Sequence, residues 1–430
     1  MTILGFILLI VCCAVMIGGK RKSVPIVMIV GCCYMTTGQY FTIAGANFPV
    51  FRILLIVGII RVLVRNEKLS GGMNGIDRAV IIMCSWLLFT SVFHEWEAGS
   101  GPKYVIGEVL SIVGSYFIFR IFLSNTDEVI SFMGWTCALL GPVAIEMIYE
   151  KVANRNLFAF FGGVPEIPEF RADKIRAQGT FPHSILAGTI GAICFPFAVA
   201  IWNQHRKKAL VGGLACLVMI VASASSGPIL SLLFGIFALL MWRYRQHCRL
   251  LLWGAVGLYL LANLLMTRPA YYLISKIDLT GGSTSYYRAY LIEQSIDHLD
   301  EWWLFGTDRT RHWMPSWQPG ISDKHCDITS TYIAAGVMGG LPYIFLMINV
   351  MRLAFLRVGQ ATKPERGDRV QLFPYWCLGS CLFAIVATGF SVSFFGQSQV
   401  FLWLPIAAIA SIPLVSARLQ DSNPPLDQLG

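Results

Sequence analysis

What most constrains this chain is the recurrence of apolar runs long enough to cross a lipid bilayer, along the whole of its 430 residues. In hydrocarbon such a run satisfies its backbone polar groups only as a helix or within a closed barrel. Barrel strands alternate in short segments, whereas these runs are apolar throughout, so a barrel is excluded. About thirteen runs of spanning length are read. They lie near residues 2–18, 24–44, 48–64, 78–93, 104–122, 129–149, 184–203, 209–224, 227–242, 250–266, 328–351, 372–390 and 398–416. The expected fold is all-α, a polytopic transmembrane helical bundle of about 12–13 spans with a large, partly helical outer loop. A single integral membrane domain over 1–430 is expected, with no soluble domain of independent size.

The basic residues orient this bundle. Thr2–Ile17 is followed by Lys20, Arg21 and Lys22 rather than by a small-residue cleavage site, so it reads as a retained span. Placing those three residues inside and alternating puts most of the 33 Lys and Arg in inner connections. Those connections carry Arg61, Arg65, Lys68, Arg78, Arg120, Arg206–Lys208, Arg243, Arg245, Arg249, Arg352–Arg369 and Arg418, as the positive-inside rule requires. The N-terminus is then outside and the C-terminus inside. Inner-leaflet anchoring accounts for much of the net charge of +9, and no nucleic-acid partner is implied.

Most of the remaining cations fall in two outer loops, 150–183 and 267–327, both longer than an ordinary connection. Arg171, Lys174 and Arg176 crowd the first; Arg288, Arg309, Arg311 and Lys324 the second. Arginine forks bind phosphate oxygens bidentately and stay charged, so two facing loops of them suit a phosphate or pyrophosphate. Lipid headgroups or simple solvation are the plainer alternatives. Within the second loop, Ile292, Ile296, Leu299 and Trp303 recur at helical spacing with Asp297, His298 and Asp300 off the stripe. An amphipathic helix on the membrane surface is expected there, broken off by Gly281-Gly282-Ser283 and Gly306.

His325 precedes the apolar run resuming at Ile328 and is followed by Cys326 and Asp327. A membrane-edge histidine beside a carboxylate can accept a hydroxyl proton near neutral pH, or simply rest on a backbone carbonyl. His183 reads as a residue opening a helix, and His298 and His312 as surface residues. Trp302, Trp303, Trp313 and Trp317 suit interface anchoring, and their flat rings also suit a sugar face. Arg52, Glu108 and Glu146, near outer span ends, read as functional or as snorkelling. Of twelve cysteines, only Cys326 is expected to face outward in polar surroundings.

Absences narrow the chemistry. No Asp-x-Asp pair in an outer loop offers a carboxylate seat for a diphosphate-bound metal. Neither a phosphate-cradling G-x-x-x-x-G-K-[ST] loop nor a Cys/His zinc spacing is present. The spans also lack the buried charge chains of a proton-coupled carrier.

Several short motifs follow in order: Arg176-Ala177-Gln178-Gly179-Thr180-Phe181-Pro182-His183 before a span and Ser223-Ala224-Ser225-Ser226-Gly227 opening a later one. Then come Tyr287-Arg288, Leu304-Phe305-Gly306, and His325 leading by Thr331-Tyr332 to Gly336-Val337-Met338-Gly339. Together these pieces resemble the bacterial O-antigen ligase and O-antigen polymerase superfamily. His325-Cys326-Asp327 stands where the family commonly has His-Asn, and Gly306-Thr307-Asp308 where a second Gly is usual. The resemblance implies a metal-independent, inverting glycosyltransferase, without cofactor, on the periplasmic face of the inner membrane. Its donor would be a glycan on polyprenyl pyrophosphate, its acceptor another lipid-linked glycan or a lipid A core sugar; membrane lipids and a chain-length regulator are the further partners it admits. Arg288 and Arg176 would hold the pyrophosphate and His325 would position or deprotonate the acceptor hydroxyl. Arg171, Arg309, Arg311, His183 and Tyr287 would make further substrate contacts. A lipid-linked oligosaccharide flippase is the alternative reading.

Overall fold

A computed structural model describes residues 1–43, 45–94, 100–279, 285–318, 320–363, 366 and 369–413. The Gly281-Gly282-Ser283 break, Arg418 and the C-terminal tail lie outside the described residues. The fold is all-α, with two small hairpins as its sheet. Each apolar run becomes a helix: α1 (Ile3–Gly18), α2 (Ser23–Tyr34), α3 (Val50–Val64), α4 (Gly75–Thr90), α5 (Ser100–Phe122), α6 (Thr126–Ala153) and α7 (Ser184–Ala200). They continue as α8 (Arg206–Ala222), α9 (Ser226–Leu240) and α10 (Cys248–Leu265); α11 (Ser285–Asp297) and α12 (Leu299–Trp302) come from the polar loop. The series closes with α13 (Thr331–Ala361), α14 (Arg369–Thr388) and α15 (Ser398–Ala410). Among the described residues, six helical stretches are long and apolar enough to cross a membrane, and four shorter apolar helices accompany them.

Two expectations need correction. The run expected over 24–44 is helical only to Tyr34, and hairpin β1 (Tyr40–Ile43)–β2 (Ala46–Pro49) follows. Gly38 before it lies against the Gly162–Gly163 backbone, where a side chain would meet carbonyl carbon at 2.4 Å. In the polar loop, α11 and α12 are separated at His298. Of the stripe expected on the membrane surface, Ile296 is 53% and Trp303 50% exposed, while Ile292 packs inward. The packed face carries Arg288, Leu291, Ser295 and Trp302. That face also keeps i, i+3, i+7 spacing, and Arg288 hid it because a charged residue sits where the apolar stripe was sought.

The connections gather at two ends of the bundle. At one, the basic end, Arg21 Nη2 donates to Ser124 Oγ (2.6 Å) and pairs with Glu67, and Arg61 caps the Met16 and Gly19 carbonyls at 2.6 and 2.9 Å. Arg120 there meets buried Asp77 at 3.2 Å and the Ser70 and Gly72 carbonyls at 3.1 Å. Asp77 also accepts from Tyr116 Oη at 2.6 Å and completes the capping box that starts α4. At the opposite end, Thr2 N–H donates to Gln39 Oε1 (2.9 Å), and Gln397 Nε2 donates to the Cys32 and Thr180 carbonyls, each at 3.0 Å. The helices α1–α10 and α13–α15 therefore alternate in direction, and the two long polar loops share the end away from the basic clusters.

Every residue of α15 is buried and α7 is nearly so, which puts these two at the centre; α10 buries none of its residues. Helix α7 packs on α8, α9 and α14. Glycines permit that approach: a side chain on Gly191 would lie 2.9 Å from the Cys216 carbonyl oxygen of α8.

Candidate functional site

The first polar loop is held from below by two glutamates of α6. Glu150 accepts the N–H groups of Gln178 and Gly179 at 3.0 and 2.9 Å, and Glu146 that of Leu157 at 3.0 Å. Neither snorkels. Asn156 adds a side-chain donor to the Gly179 carbonyl at 2.9 Å. On this base stands the hairpin β3 (Glu169–Arg171)–β4 (Lys174–Arg176), whose tip, Ala172 and Asp173, takes positive φ of 48° and 57°. A two-residue turn of this kind matches the strand twist. Its register sets Glu169 opposite Arg176 and leaves Arg171 at the tip side.

Arg176 is 4% exposed and has two partners, Glu169 and Ser225 Oγ, both at 2.7 Å. Ser225 stands at the N-cap position of α9, just after Ala224 at φ 45°, and its hydroxyl donates to the Ser223 carbonyl at 2.9 Å rather than capping the helix. His183 caps α7: its Nδ1 accepts the Ile185 N–H at 3.1 Å. An accepting Nδ1 carries a lone pair, so the ring is neutral with its proton on Nε2. Burial and the charges of Arg176, Arg171 and Arg288 all lower its pKa below the ordinary histidine value, with Glu169 opposing.

The second loop brings Arg288 to the same place. It is 8% exposed on α11, and its Nε donates to the Ser391 carbonyl at 2.9 Å. Burial lowers its pKa, Arg171 and Arg176 lower it further, and only Asp327 opposes. The Leu279 N–H bonds Ser226 Oγ at 3.1 Å, tying this loop to the start of α9. Three arginines from two loops therefore converge beside the N-termini of α7 and α9, whose helix dipoles add positive potential. Arg176 and Arg288 are buried and Arg171 half-buried, and Glu169 and Asp327 offset part of their charge.

His325 stands apart from the arginines. It lines a neighbouring cleft of about 740 Å³ with Thr307, Asp308, Asp323, Asp327 and Tyr104. Asp327 joins the two regions: Tyr287 Oη donates to its carbonyl at 2.5 Å, and its carboxylate is within electrostatic reach of Arg288. Arg309 is exposed nearby. Arg311 turns into its own loop, where it donates to the carbonyls of Met314, Pro315, Ser316 and Gln318, the last at 2.7 Å. Cys326, expected outward, is 2% exposed and packs in a small second core with Leu291, Trp302 and Trp313.

The turn Leu304–Gly306 fits the break in α13. Gly339 and Gly340 leave helical geometry, and Gly340 takes φ 73°. Into that break the Trp303 carbonyl accepts the Leu341 N–H, and the Thr307 N–H donates to Val337, both at 2.8 Å. A side chain on Gly306 (φ 88°) would lie 2.2 Å from the Val337 carbonyl oxygen. Phe305 stacks on Phe93 at 4.0 Å. The docked turn presents Asp308 to the His325 cleft, and its Oδ2 is buried without a hydrogen-bond partner among the described residues. Sequence reasoning passed over Asp308; the signal available was its place two residues after the Phe-Gly pair.

No family model, no curated protein and no solved structure matches the chain.

Proposed function

We propose that this chain is a multi-pass inner-membrane glycosyltransferase of the O-antigen polymerase and ligase kind, with its site on the periplasmic face. One observation carries the reading: Arg171, Arg176 and Arg288 converge from two loops beside two helix N-termini, at the end opposite the basic clusters. A basic end that faces the cytoplasm puts this cluster outside. A pyrophosphate supplies the charge that the cluster lacks. The exposed Ile296 and Trp303 would face the lipid surface, where a polyprenyl carrier arrives.

In this reading the carrier pyrophosphate lies on the arginines and the acceptor sugar in the His325 cleft. The acceptor oxygen attacks the anomeric carbon of the donor from the face opposite the pyrophosphate. The bond between that carbon and the phosphate oxygen breaks with inversion, and His325 takes the hydroxyl proton. The departing polyprenyl pyrophosphate gains charge, which the arginine forks stabilise by about 3 kcal/mol per preorganised donor. Asp308 and Asp323 supply acceptors for sugar hydroxyls at the cleft.

The test is purified protein with a polyprenyl-pyrophosphate oligosaccharide. A ladder of longer lipid-linked glycans indicates polymerase activity, and transfer only to a lipid A core indicates a ligase. Movement of the intact lipid across vesicles with no new glycosidic bond would instead establish the flippase alternative.

A further inference from the structure

We propose that His298, Glu301 and His312 form a binding site for a borderline transition-metal ion, Zn²⁺ foremost, that fastens the segment carrying His325. The site lies outside the arginine cluster and takes no part in the transfer step, so it does not depend on that assignment.

The three side chains offer ligand atoms that all lie within 4.8 Å of one another. His298 sits at the break between α11 and α12, and its Nδ1 lies 2.9 Å from the Gln294 carbonyl. A carbonyl only accepts, so Nδ1 carries the proton and Nε2 keeps its lone pair for a metal. Glu301 follows three residues later on the same helical face. His312, from the short turn Arg311–Trp313, brings its Nε2 to 2.9 Å from each Glu301 oxygen; a carboxylate only accepts, so this nitrogen carries a proton that the metal ion would displace.

The surroundings set these groups as outer-shell partners do in metal sites. Trp313 Nε1 donates to Glu301 Oε2 at 3.0 Å, which orients the carboxylate and leaves Oε1 forward. The buried Trp313 ring also stacks on His298 at 5.9 Å and 24°. The two imidazoles meet edge to face, with ring centroids 5.1 Å apart and planes at 77°. Two imidazoles, one carboxylate and an open fourth position are a zinc-type donor set; hard ions such as Mg²⁺ prefer all-oxygen shells.

The location gives the ion a consequence. The Thr310 and Arg311 N–H groups both donate to the Lys324 carbonyl, at 2.8 and 2.9 Å, and Thr310 Oγ1 accepts the Cys326 N–H at 3.2 Å. Joining His312 to α12 therefore clamps the chain on either side of His325 onto the helix that leads into the turn docked in the α13 break.

Full-length, tag-free protein in detergent, stripped with chelator, is titrated with Co²⁺ and then with Zn²⁺. The expected result is one equivalent of Co²⁺ giving the visible d–d absorption of a four-coordinate ion, displaced by Zn²⁺. Affinity should fall more than tenfold in both His298→Ala and His312→Gln, and Zn²⁺ should raise the thermal midpoint of the wild type only. His312 is half exposed, so its variant tests the site even if His298→Ala fails to fold. Absence of a saturable Co²⁺ spectrum, or unchanged affinity in His312→Gln, overturns the proposal.

Discussion

Arg288 and Ser391 stand 103 positions apart, and the Arg288 Nε–H donates to the Ser391 carbonyl at 2.9 Å. The bond fixes the guanidinium plane, and among the described residues no hydrogen bond holds either Nη group, which in the proposed reading would take two phosphate oxygens. Arg288→Lys keeps a charge but loses the fork, and should lower transfer about 10²- to 10³-fold, the effect of removing one preorganised donor. Membrane insertion should be unchanged. Arg288→Met should abolish transfer and raise the thermal midpoint of the ligand-free protein, because it removes a buried cation that Arg171 and Arg176 oppose. A lowered midpoint would show that Arg288 is structural.

The neutral His183 makes a pH prediction. Its folded pKa lies below the ordinary 6.5, so below that pH the unfolded chain binds a proton that the folded chain does not. Stability from this residue is therefore present above about pH 6.5 and falls with pH below it. His183→Asn retains an acceptor for the Ile185 N–H and does not titrate. Thermal midpoints measured from pH 7.5 to 5.5 should drop less in the variant than in the wild type.

Glu150 supports the loop that carries Arg171 and Arg176. Glu150→Ala leaves the Gln178 and Gly179 N–H groups buried without an acceptor, at a cost of about 1–3 kcal/mol. Limited proteolysis should cut 154–178 faster in this variant while α7 and α8 stay protected. Equal cutting rates would mean that the glutamate does not hold the loop.

The turn at Gly306 depends on a backbone conformation that L side chains rarely adopt and on a clearance that a Cβ would occupy. Gly306→Ala should lower transfer at least tenfold by displacing Thr307 and Asp308 from the cleft, at a backbone cost of about 1–3 kcal/mol. Tryptophan fluorescence should report the shift, since Trp302 and Trp303 flank the turn. Unchanged fluorescence and activity would contradict the docking role.

The sequence was most legible where long runs carry one message. Each apolar run is helical, and the basic residues mark one end of the alternation, because both signals are summed over many positions. Of the outer-loop arginines the sequence singles out, Arg171, Arg176 and Arg288 come together, whereas Arg309 stays exposed and Arg311 binds carbonyls of its own loop, a division that residue type alone does not carry. The packed face of α11 was not legible because Arg288 and Ser295 lie on it, where polarity pointed outward, and the break at His298 carries no glycine or proline to announce it. The roles of Glu146, Glu150 and Arg311 were not legible, since a side chain that caps backbone groups from another segment leaves no spacing pattern. The His298–Glu301–His312 cluster depends on a chain reversal between 301 and 312, which sequence spacing alone does not encode.

The claim that the converging arginines hold a pyrophosphate is tested most directly by binding. Purified wild-type protein, Arg288→Met and Arg171→Met are titrated with a polyprenyl pyrophosphate and with the corresponding uncharged alcohol. The wild type should bind the pyrophosphate saturably and far more tightly than the alcohol, and each variant should lose more than tenfold in affinity for the pyrophosphate alone. Equal binding of the two lipids, or variants that bind pyrophosphate as tightly as the wild type, would contradict it.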